Sequence, residues 1–294
     1  MPETTTSITL DNILFATDFS SASTACFPYA FAIADRYHSN LYVAHVIDLE
    51  PFDLLNADVN PRMIQQARGQ AFQQIDKLLQ GKELQSDRFR PLIGEGAVAN
   101  VLMEMIREHA IDLTVLGTHG RRALKKFLLG SIAEEVFRTA PCPVLTIGPK
   151  VGSAAGKLEL HHILYLVEFA PDASAAANYA ASLAEKYRAK LTVMNVRDAM
   201  AAAASQMEQP TSAAESWLDD HIPQNSDLRE RVRLERGFGA APGAILDFAK
   251  QEAVDLIVMP VQRLDPVISS HLAKPDTAYG VVSGAACPVL TISQ

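Results

Sequence analysis

Three glycines and a serine stand at fixed spacing in the segment GTHGRRALKKFLLGS, which runs from Gly117 to Ser131. The order is Gly, two residues, Gly, nine residues, then Gly-Ser. Glycine lets a backbone turn tightly and approach a ligand without a Cβ in the way. Gly130-Ser131 opens an amphipathic pattern, and the N–H groups and positive dipole of a helix start attract anions. The segment therefore predicts a phosphate-binding loop; the alternative is a βα loop with ordinary turn glycines.

A carboxylate, Asp18, directly follows the short apolar run ILFAT. It can accept hydrogen bonds from a ribose hydroxyl or an adenine amino group. N–H groups that donate hydrogen bonds to phosphates at one end of a crevice, and a carboxylate at the other end, would together bind a nucleotide. Within the glycine segment, His119 and Arg121 are further candidates to contact the phosphates, whereas Arg122, Lys125 and Lys126 fit a solvated basic face.

Two other glycine-rich motifs also bind nucleotides in proteins. GEGAVA at Gly94 imitates the Gly-x-Gly-x-x-Ala dinucleotide fingerprint, but it follows the third strand instead of the first, which favours a tight βα turn. No GxxxxGK[ST] occurs in the chain, so the sequence contains no P-loop motif. We assign no catalytic residue and no protein metal site.

Short apolar runs alternate with amphipathic stretches, which predicts strands alternating with helices. The strands are predicted over Ile13–Thr17, Leu41–Ile47, Phe89–Ile93, Leu113–Gly117 and Val144–Ile147. The helices are predicted over Ser20–His38, Pro61–Gln80, Ala97–His109 and Ser131–Thr139, with Ser20 as a cap and Pro61 in a first turn.

This alternation indicates an α/β domain with a doubly wound, five-stranded parallel sheet in the order 3-2-1-4-5. Ligands of such sheets bind beyond the carboxyl ends of the strands, where the strand order reverses. Here the reversal falls between strands 1 and 4. Asp18 follows the first of these strands and Gly117–Gly120 follows the other, so both are expected in one crevice.

The chain contains two copies of this domain. Ile13-Leu14-Phe15 matches Ile163-Leu164-Tyr165, and APCPVLTI at Ala140 returns as AACPVLTI at Ala285. The stretch GPKVGSAAGKLE between the copies is small, polar and glycine-containing, as a linker should be. We predict domains over residues 1–149 and 160–294, joined by a linker over residues 150–159.

Composition excludes several classes of partner. The net charge is −8 and no basic block occurs, which argues against duplex nucleic acid. No run of about 18 apolar residues and no signal-peptide pattern occurs, so we expect no membrane partner and no export. Three widely spaced cysteines, Cys26, Cys142 and Cys287, indicate reduced, buried thiols and a cytoplasmic protein.

In its motifs the chain resembles the universal stress proteins in their tandem, two-domain form. The glycine signature with Ser131, the opening FATDFS and the stretch LYVAHVID carry the resemblance, which covers nearly all of both copies. It implies ATP binding, with or without Mg²⁺, in which Thr17 and Asp18 meet the nucleoside and the Val46 backbone meets adenine. The residues that the resemblance places around the nucleotide are Ala16, Thr17, Asp18, Val46, Leu116, Gly117, His119, Gly120, Arg121, Gly130, Ser131 and Ile132. Ala133 stands where some relatives carry a hydroxyl.

The second copy departs from the signature. Glu168 stands in place of Asp18, and GTHG becomes PVQR from Pro260 to Arg263. Pro275-Asp276 stands in place of Gly130-Ser131, which removes an N–H donor and adds a negative charge. We therefore expect the second copy not to bind ATP.

Three functions remain open at this point. The first is an ATP-binding stress-response module whose bound state alters contact with a protein partner that the sequence does not name. The second is a slow Mg-dependent ATPase, and the third is a scaffold that no longer uses nucleotide. The apolar fifth strands predict edge-to-edge pairing, as a homodimer or as an intrachain pseudo-dimer.

Overall fold

The computed structural model describes residues 8–49, 60–81, 88–120, 129–152, 158–167, 174–197, 218–238, 241–262 and 276–293. The chain divides into two compact units whose main segments are Thr9–Pro149 and Glu159–Gln294. Each unit is an α/β domain with a parallel sheet, as the sequence predicts.

The first unit alternates strands and helices along the chain. Its strands are β1 (Asn12–Ala16), β2 (Asn40–Asp48), β3 (Phe89–Gly96), β4 (Leu113–Gly117) and β5 (Val144–Ile147). Its described helices are α1 (Ser21–Thr24), α2 (Phe27–Tyr37), α3 (Pro61–Leu79), α4 (Val98–Glu108) and α5 (Ser131–Thr139).

The five strands form a parallel sheet in the order β3-β2-β1-β4-β5, which confirms the predicted order. β1 lies between β2 and β4, with Ile13 beside Leu41 on one side and beside Leu113 on the other. The direction of winding therefore reverses between β1 and β4. The carboxyl ends of these two strands, at Ala16 and Gly117, border the crevice where a ligand is expected.

The predicted helix over Ser20–His38 is interrupted in the structure. α1 ends at Thr24, and α2 begins at Phe27 with Pro28 in its first turn. A proline has no N–H to donate to the carbonyl four residues earlier, and its ring clashes there, so one continuous helix cannot form. The predicted cap is confirmed, because the Ser20 side chain accepts a hydrogen bond from the Ser23 N–H.

Both faces of the first sheet are covered. Ile13, Leu14 and Phe15 in β1 are fully buried, as are Val115 in β4 and Val144 in β5. A strand buried on both faces reads as a continuous apolar run, which explains why these strands were recognisable without alternation. The glycines of GEGAVA serve the same packing, since a Cβ at Gly94 would collide with Val101 of α4. Gly94 and Gly96 belong to the end of β3, which runs three residues beyond the predicted limit at Ile93, and only Ala97 separates β3 from α4. The connection between strand and helix is therefore tight, as predicted.

The three cysteines are buried and unpaired. Burial raises the pKa of Cys26 to about 12, with a further contribution from the Asp18 charge. Burial likewise raises the pKa of Cys142 to about 11 and that of Cys287 to about 12. Thiols held protonated in this way are poor nucleophiles, which agrees with the expectation of reduced, buried cysteines.

The second unit repeats the architecture. Its strands are β6 (His162–Leu166), β7 (Lys190–Arg197), β8 (Val232–Phe238), β9 (Leu256–Val261) and β10 (Val289–Ser293). Its described helices include α6 (Ser174–Tyr187), α7 (Ala241–Gln251) and α8 (Thr277–Gly284). Within this unit the strands lie in the order β8-β7-β6-β9-β10, so the first strand of the repeat is again central. Among the described helices of either unit, none is both long and apolar enough to span a bilayer.

Candidate functional site

The turn after β1 is built around Thr17 and Asp18. The Thr17 N–H donates to the Ala44 carbonyl at 2.9 Å, and Thr17 Oγ1 accepts from the Phe19 N–H at 3.0 Å. Asp18 Oδ1 accepts from the Ser20 N–H at 2.9 Å, an Asx turn that leads into α1. One of the two Asp18 carboxylate oxygens therefore stabilises its own turn, a role that the sequence did not reveal.

The other oxygen of Asp18 lies against Gly120 across the crevice. A Cβ placed on Gly120 would be 2.7 Å from Asp18 Oδ2, closer than real Cβ atoms come. The ends of β1 and β4 thus converge as their positions in the sheet predict. Glycine at position 120 leaves room for the carboxylate to point along the crevice.

Gly117 has a different reason to be glycine. A Cβ there would lie 3.2 Å from Cys26 Sγ and 3.5 Å from the Ser23 Cα. The missing side chain lets the end of β4 pack against the α1–α2 turn. Glycine at position 117 therefore serves internal packing, and its predicted contact with a ligand stays a prediction.

Thr118 and His119 form a buried polar pair at the start of the glycine loop. Thr118 Oγ1 lies 2.9 Å from His119 Nδ1, and only 1% of Thr118 and 8% of His119 are exposed. The Thr118 carbonyl accepts from the Gly130 N–H at 2.9 Å, which brings the two ends of the loop together. Thr118 was not among the predicted site residues, although a polar residue between two strand-end glycines is a usable signal.

The loop returns to the crevice at the start of α5. Gly130 is the N-cap residue in an extended conformation, and no described side chain caps the helix there. Ser131 and Ile132 occupy the first turn, where Ile132 is 37% exposed. An α-helix start of this kind has N–H groups that a ligand anion can accept from.

Three of the remaining predicted residues lie in strands of the first sheet. Ala16 ends β1, and Leu116 in β4 is buried. Val46 in β2 is buried and pairs with Gly94 of β3, one strand away from the crevice. Arg121 lies outside the described residues.

His45, which the sequence analysis did not single out, touches the same turn from β2. Its Nδ1 lies 2.8 Å from the Thr17 carbonyl oxygen. Its ring packs on Phe19 with centroids 4.5 Å apart and planes inclined by 36°. His45 therefore contacts the residues on both sides of Asp18.

The second unit carries a different helix start at the corresponding place. Asp276 is the N-cap residue of α8, and its Oδ1 accepts from the Tyr279 N–H at 2.8 Å. A carboxylate of the protein thus occupies the end of the helix that attracts anions. Pro260 lies within β9, opposite Ile292 of β10, and Glu168, Arg263 and Pro275 lie outside the described residues.

Among the residues that the structure describes, no group of three or more His, Cys, Asp or Glu side chains is arranged to hold a metal ion.

Comparison with known proteins relates both units to the same protein family. The model of the universal stress protein family matches residues 9–148 and 159–293. A universal stress protein of Methanocaldococcus jannaschii is 32% identical over 136 residues, which cover 46% of this chain and 80% of that protein. A universal stress protein A homologue of Coxiella burnetii is 31% identical over 142 residues, or 47% of this chain and 96% of that protein.

A solved structure shares the fold of the whole chain. A universal stress protein of Archaeoglobus fulgidus superposes with a TM-score of 0.74 at 18% identity. The match covers 97% of this chain and 96% of the other. At this identity the likeness establishes the fold alone.

Proposed function

The chain belongs to the universal stress protein family, with two family domains in tandem, and on that premise we propose that its first domain binds ATP between the ends of β1 and β4. Asp18 Oδ2 and the Thr17 turn would receive the nucleoside, and the Val46 backbone would meet adenine. The glycine loop and the start of α5 would receive the phosphates, through Gly120, Gly130 and Ser131, with His119 and Arg121 beside them.

One observation carries this proposal. A carboxylate at the end of β1 and a glycine loop at the end of β4 meet at the switch point of the sheet, where Asp18 Oδ2 lies 2.7 Å from the position of a Cβ on Gly120. A carboxylate suits ribose or amino donors, and a helix start without a side-chain cap suits phosphate. The two ends of a nucleotide would thus find chemically matched partners. Mg²⁺ can accompany ATP, since it is usually held through phosphate oxygens and water.

We propose further that one chain binds one ATP. α8 of the second domain is capped by the Asp276 carboxylate, which accepts from the Tyr279 N–H. A phosphate brought to that helix start would meet a like charge about 4 Å away, which costs about 1 kcal/mol in water and several times more in a partly buried crevice. The second domain would then serve the first as a structural or docking partner.

The function that follows is a nucleotide-dependent module of the stress response, in which the bound state of the first domain changes a contact with another protein. Pairing through the fifth strand and a cytoplasmic location also stay predictions. A slow Mg-dependent ATPase remains the alternative.

Two measurements test this proposal. The purified full chain is heated, and the nucleotide it releases is identified by chromatography; we expect adenine nucleotide, and a preparation that neither releases nor rebinds it would favour the scaffold. Production of ADP is then followed over time with and without Mg²⁺. Binding without turnover supports the regulator, and steady Mg-dependent ADP production supports the ATPase.

A further inference from the structure

The carbonyl of Thr17, one residue beyond the end of β1, is bonded by a side chain. His45 Nδ1 lies 2.8 Å from this oxygen, while the Thr17 N–H is bonded to the Ala44 carbonyl at 2.9 Å. A carbonyl oxygen can only accept, so the imidazole must carry its hydrogen on Nδ1. The end of β1 is thus tied to β2 by one backbone bond and one side-chain bond.

The same pair of bonds recurs in the second domain. The Val167 N–H donates to the Met194 carbonyl at 3.0 Å, and Asn195 Nδ2 donates to the Val167 carbonyl at 3.2 Å. Asn195 stands in β7 where His45 stands in β2. An imidazole and an amide share little chemistry except an N–H donor at the right place. Donation to the carbonyl at the end of the central strand is therefore the property common to both positions.

In the first domain His45 also supports the residue on the other side of Asp18. Phe19 has a left-handed backbone with a φ of 59°, which is unfavourable for a residue with a Cβ. The Phe19 N–H is held by Thr17 Oγ1 at 3.0 Å, and its ring lies on the His45 ring with centroids 4.5 Å apart. The conformation on either side of Asp18 thus depends on contacts that include one imidazole.

We propose that His45 is a positioning residue for Asp18. It holds the carbonyl before Asp18 by a hydrogen bond, and this bond keeps Oδ2 aimed past Gly120; the packing of the ring on Phe19 is secondary, since Asn195 provides the same bond in the second domain without a ring. This inference rests on the proposed ATP site, because the aim of Asp18 matters only if that carboxylate receives the nucleoside. In this role His45 acts through Asp18.

The test compares two substitutions in the full chain by calorimetric titration with ATP. His45→Ala removes the donor and should weaken ATP binding about 3- to 10-fold, the usual consequence of losing one hydrogen bond. His45→Asn restores a donor, as Asn195 provides in the second domain, and should keep the affinity within a factor of about two of the wild type. If His45→Asn is as weak as His45→Ala, or if neither has an effect, the proposal is wrong.

Asn195→Ala is the matched control. It removes the equivalent bond from the second domain and should leave ATP binding unchanged; a loss comparable to that of His45→Ala would mean that the bond acts on stability in general and would overturn the proposal.

Hydrogen exchange of the ligand-free chain separates this proposal from the proposed function. The amides of Phe19 and Ser20, which are bonded to Thr17 Oγ1 and Asp18 Oδ1, should exchange faster in His45→Ala and at the wild-type rate in His45→Asn. If that pattern is found in a chain that binds no ATP, the positioning role stands and the proposed function fails. If these exchange rates are unchanged in both variants, the positioning role is wrong, whether or not the chain binds ATP.

Discussion

The two oxygens of Asp18 are used differently. Oδ1 accepts the Ser20 N–H and shapes the turn, and Oδ2 lies toward Gly120. The sequence predicted the residue and the strand end it follows, since both depend only on the order of the strands. It could not predict the turn, the contact of Gly117 with Cys26, or the bond from His45, because these depend on distances between segments far apart in the chain.

The space that Gly120 leaves for Asp18 can be tested by substituting a residue with a side chain. Gly120→Val must displace Asp18 Oδ2, which lies 2.7 Å from the new Cβ position, so ATP binding should be lost while the circular dichroism spectrum is unchanged. Gly69→Ala in α3 is the control, since a Cβ there has nothing within 4 Å. It should leave ATP affinity alone and stabilise the domain by about 0.5–1 kcal/mol, as for an alanine in a helix interior. Unchanged ATP affinity in a folded Gly120→Val protein would contradict the site.

Asp18→Asn tests which part of the nucleotide Asp18 meets. Asparagine keeps an oxygen for the Ser20 N–H but loses the charge, so the turn should persist. ATP and AMP should both weaken by a similar factor, about 10- to 100-fold for a lost charge-assisted bond of about 1.5–3 kcal/mol. Calorimetry with both nucleotides measures this. A much larger loss for ATP than for AMP would place Asp18 near the phosphates instead.

At the scale of elements, β4 and β5 have the predicted bounds, and the ends of β1 and β2 differ by one residue. Buried parallel strands are short and continuously apolar, so their limits can be read directly from the residues. The first helix was the exception: its apolar spacing runs through Cys26 without a break, whereas the backbone chemistry of Pro28 ends α1 at Thr24. The spacing of apolar residues indicates which face of a helix is buried, but it does not indicate where a proline lacks the N–H that the helix needs.

The start of β6 carries a histidine that should make stability depend on pH. His162 is buried, with Nδ1 bonded to the Glu252 carbonyl at 3.0 Å and Nε2 lying 2.8 Å from Thr192 Oγ1. Burial lowers its pKa from the usual 6.5 in spite of the nearby carboxylates. Below pH 6.5 the unfolded chain therefore takes up a proton that the folded domain resists.

The free energy of unfolding should fall as the pH drops below about 6.5 and level off below the lowered pKa of the folded state. Urea unfolding of the full chain, followed by circular dichroism between pH 8 and pH 5, measures this. His162→Asn, which places there the residue found at position 12 of the first domain, should flatten the slope. An equal slope in both proteins would assign the pH dependence to other groups.

At the scale of the whole molecule, the two domains share a fold, and one of their differences lies at a helix start. The N-cap residue of α5 is Gly130, and no described side chain caps that helix, whereas the N-cap residue of α8 is Asp276, whose own carboxylate accepts from the Tyr279 N–H. A fold duplicated in one chain lets one copy keep a ligand site while the other is free to lose it. The sequence predicted this asymmetry from Pro275-Asp276. In the structure, the Asp276 carboxylate occupies the helix start where a phosphate would otherwise bind.

One ATP per chain is therefore the prediction for the intact protein. Calorimetric titration should give a stoichiometry near one, and hydrogen exchange with ATP bound should slow within Thr9–Pro149 and stay unchanged within Glu159–Gln294. Saturation at about 100 times Kd should stabilise the first domain by about 2.7 kcal/mol, because ligand that binds only the folded state shifts the equilibrium by mass action. Gly120→Val should abolish the slowed exchange and the stabilisation by ATP, whereas Asn195→Ala should abolish neither. A stoichiometry near two, or slowed exchange around Asp276 and Tyr279, would mean that the second domain binds nucleotide despite its carboxylate cap.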